Sequence, residues 1–147
     1  MFRIFWVFSA ALRCYAVDAL AAEPIGVVKT LSGTAWVVRA GQPLPCGLNA
    51  HILAQDIIRT SGDGRVGILF SDGARVSLDP SSELKIDRFR FRPAQREFEM
   101  VMMLVRGVAA YVSGKVARFA PESVKMETPV AVIGLRGTQF AVSLDQK

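Results

Sequence analysis

Three turn-forming clusters follow one another every eight to ten residues in the middle of this chain: Gly62-Asp63-Gly64, Ser71-Asp72-Gly73 and Asp79-Pro80-Ser81-Ser82. The runs between them, residues 65–70 (RVGILF), 74–78 (ARVSL) and 83–87 (ELKID), are too short for ordinary helices and β-rich in composition. Asp and Gly tolerate the positive φ that tight reversals demand, so Asp-Gly between such runs marks a hairpin or a sharp corner. Residues 75–78 and 84–87 alternate polar with apolar, which gives each strand one buried face. Short strands at this spacing predict an all-β fold, either a β-roll or β-helix-like stack, with a β-sandwich as the alternative.

The flanking sequence has a similar texture. Residues 25–32 and 34–39 read as two short strands around Gly33, and the breaker-rich residues 40–47 (AGQPLPCG) as a loop. Residues 48–53 with 55–59 supply a further extended segment and a turn around Asp56. Residues 98–112 read as two strands broken near Arg106-Gly107, with a short helix through the methionines as the alternative. Ser113-Gly114 and Pro121-Glu122-Ser123 are further turns. In residues 124–143, Thr128-Pro129 marks a strand entry or edge, and Gly134-Leu135-Arg136-Gly137-Thr138 a corner between two β-rich segments. Nothing in residues 25–145 has the composition of a linker, so they form one compact domain.

Residues 1–21 resemble an export signal: Arg3, then the apolar run IFWVFSAAL, then the small-residue pattern Ala19-Leu20-Ala21. Nine apolar residues are too few for a membrane-spanning helix, so no permanent anchor is expected. The alternative is an unprocessed N-terminal helix or a mis-set start. Processing would remove Arg3, Arg13 and Asp18, lowering the formal charge from +5 to +4. It would also remove Cys14, leaving Cys46 without an internal disulfide partner. Cys46 then reads as a small buried apolar residue, with a reactive or intermolecular thiol as the alternative.

Residues 88–92 (RFRFR) alternate strictly. On a strand, Phe89 and Phe91 take one face and Arg88, Arg90 and Arg92 the other. That arginine face could contact phosphates or anionic polymer. The preferred reading is an edge strand whose solvated charge discourages aggregation. Catalytic chemistry is not expected: the single histidine, His51, has no acid or cysteine placed near it in sequence, and Ser77 and Ser113 have no base. Each aspartate-bearing turn carries one carboxylate, too few for calcium, so neither a metal nor a cofactor is expected.

The phrases GTAWVVR (33–39), DIIRT (56–60), GRVGILF (64–70), DG (72–73), VSLDPSS (76–82) and TPVAVIGLRGTQF (128–140), taken in this order, resemble the FecR-type domain, the periplasmic module of ferric-citrate regulators. The resemblance spans roughly residues 25–143, and its closing phrase, TP followed by apolar residues and G-x-RGT-x-F, is the most specific. It implies an extracytoplasmic β-rich domain. In the full regulators a cytoplasmic segment controls a sigma factor, a single membrane helix follows, and the outer part senses a transporter. These 147 residues carry neither such a segment nor a spanning helix, so the expectation is a stand-alone exported module without direct sigma-factor control.

Function is therefore expected to be non-enzymatic: a periplasmic or secreted protein-interaction module for envelope signalling, with an envelope protein as partner and strand-edge pairing as the contact chemistry. Binding to an anionic or glycan envelope polymer is the alternative, and nucleic-acid binding a weaker one. Candidate contact residues are Arg136, Thr138 and Phe140 from the closing phrase, and Arg88, Arg90 and Arg92. Arg136 is expected to bond nearby carbonyls or a carboxylate such as Asp79 or Glu127, with a surface anchor for a partner as the alternative.

Overall fold

A computed structural model describes residues 23–144; the signal-like residues 1–21 fall outside them. The described chain forms β1 (Gly26–Ser32), β2 (Ala35–Arg39), β3 (Gln42–Pro45), β4 (His51–Ile52), β5 (Ile57–Thr60), β6 (Arg65–Phe70), β7 (Arg75–Leu78), β8 (Glu83–Arg92), β9 (Glu97–Val112), α1 (Lys115–Phe119), β10 (Val124–Glu127), β11 (Val132–Gly134) and β12 (Gln139–Leu144). The all-β expectation holds, in the form of a curled sheet that makes a half-barrel. Its strand order is β3-β2-β5-β8-β9-β7-β6-β1-β4, with β10, β11 and β12 branching off. Every pairing is antiparallel except β9 with β10.

β9 joins two arms. Residues 97–106 pair with β8, residues 109–112 with β7. The predicted break at Arg106-Gly107 is instead a bend within one 16-residue strand. Gly107 has φ +83°, and a Cβ there would fall 2.2 Å from Ser82 Oγ and 2.6 Å from Ser82 Cα. Only glycine lets the strand turn this closely past the β7–β8 connection. The fully buried Ser82 then ties the bend, its Oγ accepting from Val108 N–H at 2.9 Å.

The concave side is the core. One arm contributes Val28, Ile68, Phe70, Val76 and Leu78; the other contributes Val37, Ile58, Leu84, Ile86, Met100, Met102, Leu104 and Met126. Burial of each of the larger side chains contributes about 1.5–3 kcal/mol. Phe70 of β6 stacks on Phe89 of β8 at 5.5 Å, so the arms meet through aromatic contact.

One further expectation is corrected, and one element comes in addition to those expected. The breaker-rich residues 40–47 contain a strand, β3, because both prolines lie on an outermost strand paired only with β2. Residues 115–119 form a single helical turn between Ser113-Gly114 and Pro121, a helix that turn signals alone do not predict.

The turn aspartates do more than make turns. Buried Asp72 accepts from Ala74 N–H at 3.0 Å with one carboxylate oxygen and from Val116 N–H at 3.2 Å with the other, so it also pins α1. Asp56, 1% exposed, accepts from Arg39 Nε at 3.0 Å, Arg39 Nη2 at 2.8 Å and Leu53 N–H at 2.8 Å. The hydrogen bond from the guanidinium to Asp56 holds the Arg39 pKa above its usual value. Cys46 is buried, as read from sequence, and desolvation raises its thiol pKa.

Candidate functional site

The closing phrase folds into a hairpin and a crossing. Thr128 closes the β10–β11 turn: its N–H donates to Ala131 O at 2.8 Å, and its Oγ1 accepts from Ala131 N–H at 3.0 Å. Pro129 thus lies at the hairpin tip, where its missing N–H is not needed, rather than at a strand entry. After β11, Leu135 plugs into the core at 1% exposure while its N–H donates to Val124 O at 3.1 Å. Residues 136–138 then carry the chain across to the second half of β9. Ser113 fastens this crossing, its N–H donating to Thr138 O at 2.9 Å and its hydroxyl to Gly137 O. The predicted corner is therefore a passage from the β8 arm to the β7 arm.

What this corner presents outward is apolar and cationic. Val130 and Val132 are 86% and 65% exposed, the most exposed of the described large hydrophobics. Arg136 and Thr138 are also exposed. Among the described residues Arg136 forms no ion pair, and the expected bond to Asp79 or Glu127 is not made: Asp79 lies 4.0 Å from Arg65 instead. The motif anchors itself through Leu135 and backbone bonds, which frees the arginine. Phe140 is half-buried, pairs across from Tyr111, and packs against the core with its ring 3.3 Å from the position a Cβ on Gly137 would take.

The arginines of β8 lie elsewhere, opposite residues 97–101 of β9, while Phe140 lies opposite residue 111. The structure does not bring the two candidate sets together. Arg88 pairs with Glu99 at 3.2 Å, Arg90 with Glu99 at 4.0 Å and Arg92 with Glu97 at 3.7 Å. Two carboxylates thus offset part of the charge of three guanidiniums across the strand pair. As read from sequence, Phe89 and Phe91 face the other way, and Phe91, Phe98 and Phe119 continue as a row with centroids 6.1 Å and 5.4 Å apart. Sequence reading missed Phe119, 60% exposed, because the helical turn that presents it was missed too.

Tyr111 is the other residue overlooked. It is 1% exposed, and its hydroxyl has no hydrogen-bond partner among the described residues. Burial first, and the charge of Asp72 second, push its pKa up to about 12; the Gly114 amide is close enough to offset this slightly without making a proper bond. Among the described residues no group of three or more His, Cys, Asp and Glu could hold a metal ion, and no helix is long and apolar enough to cross a membrane.

A curled all-β domain with an outward-turned closing motif is the class these features define. A family model described as FecR protein matches residues 56–147, more than half of the chain, and the chain belongs to that family. Membership marks it as a module of signalling or regulatory type. No curated protein and no solved structure matches. The family match begins at Asp56, yet β1 and β2, which precede it, are paired with β6 and β5 in the same sheet.

Proposed function

We propose that this chain is an exported, non-enzymatic protein-interaction module of envelope signalling, and that it engages its protein partner at the closing corner. The observation that carries this reading is the outward display of the motif: Val130, Val132 and Arg136 face solvent while Leu135 and Ile133 pack against the core. Among the described residues β11 pairs on one side, with β10, which leaves its other backbone edge for an added strand. Val130 and Val132, exposed toward the hairpin tip, suit an apolar partner segment, and the exposed Arg136 guanidinium, at the other end of β11, suits a carboxylate on that partner. The β8 arginines, already engaged by Glu97 and Glu99, give less support to binding of an anionic polymer or nucleic acid.

The test is affinity capture from envelope extracts, with wild type and Arg136→Ala and Val132→Ser variants as baits. A protein retained by wild type and lost by both variants, with unchanged melting of the baits, is the expected outcome. Equal retention by all three would move the contact away from this corner. Mapping of the N-terminus in the producing cell tests export, with cleavage near Ala22 as the expected result.

A further inference from the structure

The half-barrel leaves several strand edges open among the described residues, and most are blunted. Apart from the β11 edge assigned to the partner, β3 carries Pro43 and Pro45, β4 has two residues, and the outer half of β8 presents arginines. β12 differs. It pairs only with β9, runs six residues as Gln-Phe-Ala-Val-Ser-Leu, and contains no charge, proline or bulge.

The open groups can be assigned. Thr138 O accepts from Ser113 on the β9 side. Because strand backbone groups alternate in direction, Phe140, Val142 and Leu144 also bond toward β9, and Gln139, Ala141 and Ser143 direct N–H and C=O outward. Phe140, Val142 and Leu144 are half-buried, lying against the core with one flank uncovered.

We infer that this edge is completed by β12 of a second copy, in an antiparallel, two-fold pairing that joins two half-barrels. Antiparallel neighbours project to the same face. A register centred on Ala141 therefore sets Phe140 against Val142 of the partner copy, and Gln139 against Ser143, with apolar groups inside and neutral polar groups outside. A second copy fits better than a charged segment because the strand offers no counter-charge, and the two-fold repeats each stripe against its own kind without repulsion. The proposal is independent of the partner-docking corner, which lies on β11 and residues 136–138.

Sedimentation of the purified protein between about 1 and 500 µM reads the mass-action equilibrium. The expected result is a shift from the monomer mass toward twice that mass with rising concentration. Ala141→Pro removes an outward N–H that β9 does not use, so it should melt like wild type but stay monomeric. Ala141→Lys and Ala141→Glu should each weaken pairing at least tenfold, and their mixture should restore a heterodimer. A wild-type monomer across the range, or Ala141→Lys that dimerises as wild type does, would overturn the inference. If Arg136→Ala loses a captured partner yet still dimerises, the two surfaces are separate, as proposed.

Discussion

Tyr111→Phe should stabilise this protein, although it deletes a polar group from a structured interior. The ring fills core space opposite Val76 and Phe140, and phenylalanine keeps that volume. The hydroxyl has no partner, and a buried unsatisfied polar group costs about 1–3 kcal/mol. The nearby Gly114 amide places the value at the lower end, about 1 kcal/mol, or about 3–5 °C in melting temperature for a domain of this size. A second consequence appears at high pH. The folded-state pKa is raised to about 12 from 10, so between these values the native state holds a proton that the unfolded chain releases. Stability then falls as pH rises through that window, by up to about 1.4 kcal/mol per pH unit and about 2–3 kcal/mol in all. The informative quantity is the difference between wild type and Tyr111→Phe in urea denaturation at pH 7, 10 and 11.5. The variant should be more stable at pH 7, and its advantage should widen as pH rises. A variant that loses 1 kcal/mol or more at pH 7 would mean that the hydroxyl is bonded, and the reasoning would fail.

Asp56→Ala removes the acceptor of two bonds from Arg39 and one from Leu53 N–H. Arg39 is partly solvated, so the loss should be about 2–3 kcal/mol, below the full effect of a broken buried pair, and urea midpoints will read it. Arg88→Ala, Arg90→Ala and Arg92→Ala, all on solvated pairs, should each change stability by less than about 1 kcal/mol. With Glu97 and Glu99 offsetting most of the ladder's charge, cell-wall pull-downs should show no salt-sensitive retention that these variants reduce.

Much of the framework could be read from residues 62–87, because turn chemistry there is local and each Asp-Gly cluster fixes its own reversal. Long-range consequences were harder. Leu84 and Ile86 point inward at even positions, Phe89 and Phe91 at odd ones, so one residue must bulge between them; the observed slip lies between Ile86 and Arg88. That phase change is present in the sequence and marks the bulge. Gly107 looked like a strand end because the reason for it, Ser82, lies 25 positions earlier and beside it only in the fold. Arg136 looked like a turn brace because glycine spacing reports a corner but not which side of it faces water. Residues 40–47 hid a strand because prolines exclude only an interior position in a sheet, and nothing local says that β3 is outermost.

The strand order carries a consequence for how the chain comes together in time. Without β9, the path divides into β3-β2-β5-β8 and β7-β6-β1-β4, two four-stranded pieces with no ladder between them. β9 begins at residue 97, after both pieces have been synthesised. A nascent chain must therefore hold two unjoined sheets, with the facing edges of β7 and β8 open, until residues 97–112 emerge and close both at once. Such late, non-local closure slows folding and exposes those edges to neighbouring chains. Any truncation ahead of residue 97 would leave the two pieces permanently unjoined.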